Sequence, residues 1–358
     1  MSNVTYEVIV KDPSTGTIWE VIPQSYNFTD VLNKEPQATF NFSFEELELL
    51  AERNDTTVLN IFTAALREIY INRIVSGTPT KIFYGVITNF GVEPQGQGNN
   101  NLVVKAMGFF GLFKKALVGI GTLTYYNGVD AGAIAWDLIE DWQASDSTYS
   151  ARGITEGSIT TSKNRDRGYL FDNIYDSIIK LSNENLADGF DFDIDNTKAF
   201  NVYYPTKGTA RPNVVFDIRT MSKWKYEKQL ITDMANKVHV LGEGFNDDIL
   251  YATRTAATGY RSPFGTLEEK LDARDVTELV TLQDKGDKRL DDAQEPRVEV
   301  KDVSHFDDSI AYTDYNVGDT VVVNLPFLGL SNVSKRVRER TFTMQSPESI
   351  ALCKLKLE

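Results

Sequence analysis

Residues of the types that carry chemistry are few in this chain, and their spacing works against them. His239 and His305 are the only histidines. They stand too far apart for H-E-x-x-H or any other closely paired motif, and zinc prefers several nitrogen or sulfur ligands. His239 sits between Val238 and Val240, an alternation that places it on the polar side of a half-buried strand. Cys353 is the single thiol, which excludes an internal disulfide and a cysteine-based zinc site. Within the alternating run Ile350 to Leu357 it reads as a small apolar filler rather than a nucleophile. Asp191, Asp193 and Asp195 match the first three ligand positions of an EF-hand loop. The sixth position, however, is Asn196 instead of glycine, and the twelfth is Val202 instead of glutamate. The alternation of Phe190, Phe192 and Ile194 with these acids predicts a strand with one buried and one solvated face. Among 51 acidic residues a glycosidase pair is available, but only its separation in space would identify it. GxxxxGK[ST], GxSxG and GxGxxG are all absent. The sequence therefore assigns no catalytic, cofactor-binding or metal-binding residue.

The scaffold that would position any such group is globular. The chain has 358 residues, 41% apolar and 25% charged, with 37 Lys plus Arg against 51 Asp plus Glu and a formal charge of −14. Length and composition predict two or three domains with buried cores. A chain this acidic, without a dense Lys/Arg block, repels phosphate backbones, so tight nucleic-acid binding is not expected. Met1 is followed by polar and strand-like residues instead of the basic and then apolar run of a secretory signal, which predicts synthesis in a reducing cytoplasm. The most apolar region, Met107 to Leu123, is split by Lys114 and Lys115 and is too short to cross a bilayer. Its glycines read as tight turns, and no stable membrane insertion is expected.

Alternation over Tyr6 to Lys11 and the β-branched and aromatic residues of Thr17 to Ile22, around Asp12-Pro13-Ser14-Thr15-Gly16, predict an opening hairpin. After a strand at Ala38 to Phe42, Ser43 and Glu46 form a capping box, with Phe42 and Leu47 as the staple, for a helix from Phe44 to Arg53. Strands follow at Glu68 to Ile74, Lys81 to Gly91 and Leu102 to Gly108, with Gln95 to Asn101 as a hairpin tip. These elements suit a small barrel. Ile134, Ala135, Leu138, Ile139 and Trp142 mark a helix over Asp130 to Gln143, and Leu170, Ile174, Ile178 and Leu181 mark a second one. Between them Ser145 to Arg167 reads as a loop or hairpin. Strands at Phe190 to Ile194, Phe200 to Tyr204 and Asn213 to Arg219 make this middle part an α+β layer. Later strands are expected at Trp224 to Leu230, Lys237 to Gly242, Ile249 to Thr255, Arg297 to Val303, Thr320 to Asn324, Arg340 to Gln345 and Ala351 to Leu357. The charged stretch Thr266 to Glu295 interrupts them as a largely solvated helix closed by Pro296. Lys81 to Ala106 and Arg336 to Lys356 echo one another weakly, as a duplication would. The expected organisation is α+β, mainly β: a first barrel over residues 1–118, an α+β domain over 119–222, and a second barrel over 223–358 with the helical insertion at about 266–295.

Lys81-Ile82-Phe83-Tyr84-Gly85-Val86-Ile87-Thr88 resembles the strand with an F-x-G-x-I centre found in the hub proteins of tailed-phage tails. There it precedes a hairpin and a strand ending in glycine, like Leu102 to Gly108. The helix Tyr169 to Leu181, the strand Gly189 to Ile194, and Phe200 to Pro205 with Gly208 and Pro212 before Val214-Val215-Phe216 are similar too. Tyr315-Asn316-Val317-Gly318-Asp319-Thr320-Val321 resembles the x-V-G-D-x-V start of a second-barrel strand in that family. The resemblance implies two tube-type antiparallel barrels per subunit and a homotrimer whose six similar units dock on the hexameric tail tube or distal tail protein. It further implies a three-fold tip, spike or fibre beyond the ring and passage of DNA and the tape-measure protein through its lumen. Its place would be the virion tail tip, assembled in the bacterial cytoplasm. The chain ends just after the second barrel, so the hydrolase domain of longer tail-associated lysins is not expected, nor is a cofactor. Two other readings are a cell-wall hydrolase with an unrecognised acidic pair, and a host-carbohydrate binder. For the latter, Trp224, Tyr226, Tyr203 and Tyr204 would be the stacking groups, although packing explains those aromatics better. In a trimer an acidic lumen would keep DNA phosphates from sticking.

Overall fold

The turn residues Asp12 to Gly16 reverse the chain where their chemistry requires it. The computed structural model describes residues 4–63, 66–94, 100–145, 152–182, 189–229, 231–244, 248–261, 263–274, 276–347 and 349–358. Strand β1 (Val4–Lys11) pairs antiparallel with β2 (Ile18–Val21), and Asp12 Oδ1 accepts from the Ser14 amide at 2.8 Å in the turn. After β3 (Ser25–Val31) and β4 (Gln37–Ser43), helix α1 (Phe44–Arg53) starts where the cap predicts, with Ser43 Oγ accepting from the Glu46 amide. Phe42 and Leu47 are buried in one core. Helix α2 (Val58–Thr63) was not expected, because six residues are too few to display a helical period. With β5 (Glu68–Val75), β6 (Thr78–Pro94) and β7 (Asn100–Met107), the strands run in the order β3-β4-β7-β6-β5-β1-β2. Most of the expected hairpin tip, residues 95–99, lies outside the described residues. Phe28, Phe40, Phe42, Phe62 and Phe83 are fully buried in this core. Gly85 makes it possible for β6 to approach β7: a Cβ there would lie 2.3 Å from the Met107 carbonyl oxygen.

The middle part starts with a 3-10 turn over Phe109–Lys115, whose Phe109, Phe110 and Phe113 are buried. It continues through β8 (Leu117–Val118), β9 (Thr124–Asp130), α3 (Ala131–Ser145), β10 (Thr155–Glu156), β11 (Asn164–Tyr169), β12 (Asp172–Asn173), α4 (Ile174–Ser182), β13 (Asp191–Ile194), β14 (Ala199–Tyr203) and β15 (Ala210–Phe216). Helix α3 buries Ile134, Ala135, Leu138 and Ile139 as its spacing predicts. The second helix starts later than expected. Leu170 and Phe171 form an exposed turn, and Asn173 Oδ1 accepts from the Asp176 amide at 3.2 Å to cap α4. Within the polar stretch expected as loop or hairpin, β11 pairs antiparallel with β9.

Strand β16 (Lys223–Gln229) leads into β17 (Lys237–Leu241), β18 (Tyr251–Thr255), α5 (Thr258–Arg261), β19 (Glu268–Asp272), α6 (Leu279–Ala293) and β20 (Arg297–Phe306). By compactness residues 225–301, with 183–189, form one unit, and 1–182, 190–224 and 302–358 form another. This grouping differs from the three consecutive domains expected from the sequence. In the smaller unit a three-stranded sheet, ordered β18-β17-β19, packs one face on α6 through Val238, Val240, Ala252, Leu282 and Leu290. The charged stretch is therefore not all helix. Glu268–Asp272 is a strand parallel to β17, hidden from a periodicity reading because Glu269 and Leu271 alternate with acids and lysine on a short edge.

In the larger unit β21 (Thr320–Leu325), β22 (Leu330–Met344) and β23 (Leu352–Leu357) complete a sheet of thirteen strands. The first part of β22 pairs with β21, which in turn pairs parallel with β15. Its second part pairs with β23 on one side and, from Glu339↔Val31 to Met344↔Tyr26, with β3 on the other. The C-terminal strands thus extend the N-terminal sheet, and Tyr312, Phe342, Met344 and Cys353 join the core of the first strands. The architecture is α+β and mainly β. The hydrogen-bonded path ends at β2 without closing on itself among the described strands.

Candidate functional site

The acidic run that suggests calcium from the sequence becomes an ionic junction. Strand β13 pairs with β14 and buries Phe192, but Asp191 does not face solvent: it is only 3% exposed. This corrects the expected solvated acidic face. The Asp191 carboxylate accepts from Asn33 Nδ2 at 2.8 Å, from the Lys207 amide at 2.7 Å and from the Arg336 guanidinium. Asp193 binds Lys207 Nζ at 2.5 Å, and Asp195 turns the chain by accepting from the amides of Thr197 and Ala199. Each acid is supplied with N–H donors or a cation, the opposite of a loop that offers oxygens to calcium. Among the described residues no cluster of three or more His, Cys, Asp or Glu is placed to hold a metal ion.

Asp319, from the Val-Gly-Asp motif, repeats this arrangement nearby. It accepts from the amides of Thr209 and Asn316 and from Arg211 Nε at 2.7, 2.9 and 2.9 Å. Gly318 (φ +96°) allows the Lys207 carbonyl to come close, and a Cβ there would sit 2.8 Å from its oxygen. Around these groups lies a cavity of about 470 Å³ lined by the 30–36 turn, residues 192–196 and 206–211, and Arg340. Arg340 donates to the carbonyls of Tyr312 and Tyr315 at 3.0 and 2.6 Å, reaches Asp30 at 3.3 Å, and lies 4.0 Å from the Tyr312 ring centre. Glu35 takes Lys114 at 2.5 Å and the Tyr175 hydroxyl at 2.9 Å. Burial alone would raise its carboxyl, but Lys114, its own backbone amide and the Tyr175 hydroxyl hold it below the usual range. The cavity walls thus come from the first strands, the middle part and the last strands, and the polar groups around it tie those parts together.

Sequence reasoning missed a third such cluster. Asp307 accepts from Arg73 Nε at 2.9 Å, the Tyr6 hydroxyl at 2.6 Å and the Tyr312 amide at 2.6 Å. The signal was present: Arg73 occupies the inward position after Ile69 and Ile71 on β5, and a charge on an apolar face requires a partner.

The other sequence candidates have structural surroundings. His305 is buried, with Nε2 on the Tyr315 hydroxyl at 2.7 Å and Nδ1 on the Phe306 carbonyl at 3.1 Å, and burial pulls its pKa down. Cys353 is buried, and its thiol is pushed far up by burial and by Asp307. His239 lies on the sheet face of the smaller unit opposite α6. It bonds the Tyr251 hydroxyl through Nδ1, and its Nε2 is 3.5 Å from Glu268. Trp224 packs on Phe327 with ring centres 5.9 Å apart, Tyr203 donates to Asp193 at 3.3 Å, and Lys163 lies 5.3 Å from the Tyr204 ring; Tyr226 is half-buried. Asp137, on α3, is a carboxyl that burial and Asp141 hold above the usual range, and it does not line the cavity. No helix among the described residues is long and apolar enough to cross a membrane.

No protein-family model and no curated protein matches this sequence. Solved structures do. The 43 kDa tail protein of prophage MuSo2 from Shewanella oneidensis superposes with a TM-score of 0.69 at 10% identity, over 99% of this chain and 98% of that one. A tail protein from Neisseria meningitidis MC58 gives 0.64 at 13%, over 99% and 97%. The Escherichia coli c3393 protein, a type VI secretion component described as structurally similar to T4 bacteriophage tail proteins gp27 and gp5, gives 0.52 at 9%, over 99% and 74%. The chain has the fold of phage tail proteins from end to end.

Proposed function

We propose that this chain is a structural hub subunit of a phage tail or related injection machine. Three copies close a ring that adapts the six-fold tail tube or distal tail protein to a three-fold tip, spike or fibre, with a channel for DNA and the tape-measure protein. In this reading β1–β7 form the first tube-type barrel, and β15, β16 and β20–β23 form the second. Residues between β7 and β15 and those between β16 and β20 are insertions in the chain between these strand sets. The observation that carries the reading is coverage: nearly the whole chain aligns with nearly the whole of two tail proteins. The β3–β22 seam supports it, because it makes one wall of both strand sets. The outer face of that wall carries Asn27, Thr29, Thr39, Asn41, Thr341 and Thr343, with Thr29 and Thr341 hydroxyls 2.9 Å apart. On the same face the exposed Lys105 and Lys354 stand opposite Thr39 and Thr341, so the wall is polar with added lysines. The subunit acts by symmetry matching, since a closed ring repeats its contacts, and performs no chemistry.

Quantitative mass spectrometry of intact virions tests this reading. Three copies per tail, retained in isolated tail tips, are expected; absence from purified virions would overturn it. Peptidoglycan release by the purified chain would favour the hydrolase instead, and glycan binding lost on Trp224→Ala would favour the carbohydrate binder.

A further inference from the structure

Strand β2 ends the main sheet, so its outer edge offers unpaired backbone groups among the described residues. At the end of β2, where Glu20 and Val21 lie, opens a groove of about 880 Å³ between β1 and the end of β2 on one side and residues from 307–314, with 347 and 349–351, on the other. Its floor is apolar, with Val8, Val21, Met344 and Ala351. Its lips carry Ile22 and Ile350, exposed by 67% and 57%. Among the described residues five carboxylates line it, Glu7, Glu20, Asp307, Asp308 and Asp314, against one guanidinium, Arg73, which Asp307 already binds. Glu7 accepts from Asn72 and Asp314 from the Ala311 amide, while Glu20 and Asp308 are exposed. Tyr26 also lines the groove. It is 4% exposed, and its hydroxyl, close enough to Asp307 to feel that charge, has no hydrogen-bond partner among the described residues. A buried hydroxyl left without a partner is costly, and a partner arriving from outside removes that cost.

We propose that this groove takes an extended protein segment that adds to the free edge of β2. The segment places apolar side chains on the groove floor and lysine or arginine at its acidic rim. Backbone pairing supplies affinity in such additions, and alternate side chains supply specificity. Charge complementarity selects the basic partner and rejects an acidic one. A carbonyl of the incoming strand accepts from Tyr26. The inference does not depend on the ring: a monomeric chain would still present the groove.

The full chain is titrated with two nine-residue peptides, one alternating valine with lysine and one alternating valine with glutamate, while amide hydrogen exchange is followed. The lysine peptide is expected to bind and to slow exchange at residues 18–22; the glutamate peptide is not. Glu20→Lys with Asp308→Lys, both on the exposed rim, should weaken binding at least tenfold without changing the melting temperature. Tyr26→Phe should weaken it severalfold. Equal binding of the two peptides, no binding of either, or slowed exchange away from β2 would each overturn the proposal.

Discussion

Asp191 is the residue whose role changed most between sequence and structure. The alternation of Phe190, Phe192 and Ile194 gives the strand correctly, but the pattern cannot say that the other face is covered by the 30–36 turn and Arg336. Because Asp191 is the buried counter-ion of Arg336, Asp191→Ala should cost about 3 kcal/mol in denaturant unfolding, the scale for removing one partner of a buried pair. Arg219→Ala removes a partner that is 85% exposed and should leave the unfolding midpoint nearly unchanged. His305 gives a pH signature. Its folded pKa lies below its ordinary 6.5, so the unfolded chain binds the proton first. Stability is then complete above pH 6.5 and falls as the pH drops below it, by at most about 1.4 kcal/mol per pH unit. Carboxylates held low, such as Asp130 and Glu35, lose their contribution only at more acidic pH. Melting curves from pH 7 to 5 should show the loss in the wild type and a shallower one in His305→Gln.

At the scale of elements, local chemistry was legible where it was complete within a few residues. The Asp12 turn, the Ser43 cap and the α3 stripe are set by neighbours in the chain, and the structure keeps them. Elements decided by distant partners were not legible. Strand β19 exists because β17 offers a parallel edge, α4 starts late because Leu170 and Phe171 form an exposed turn ahead of the Asn173 cap, and α2 is too short to announce itself. Gly85 belongs to this scale, since it sets how closely β6 and β7 approach. Gly85→Ala must separate the strands or bend one of them, and a loss of roughly 1–3 kcal/mol in thermal unfolding is expected. No loss would mean that the close approach is not needed for the sheet.

For the whole molecule, the decisive feature is that strands from both ends of the chain share one sheet. No local pattern announces the β3–β22 register, although the echo between residues 81–106 and 336–356 falls on two long antiparallel hairpins of that sheet. If three such walls close a ring, the product has a definite mass. Native mass spectrometry of the full chain, alone and mixed with a tail tube or distal tail protein, tests this most directly. A species at three times 40.2 kDa, free or bound to a hexamer of the partner, is the predicted result. A chain that stays at 40.2 kDa under both conditions would contradict the account.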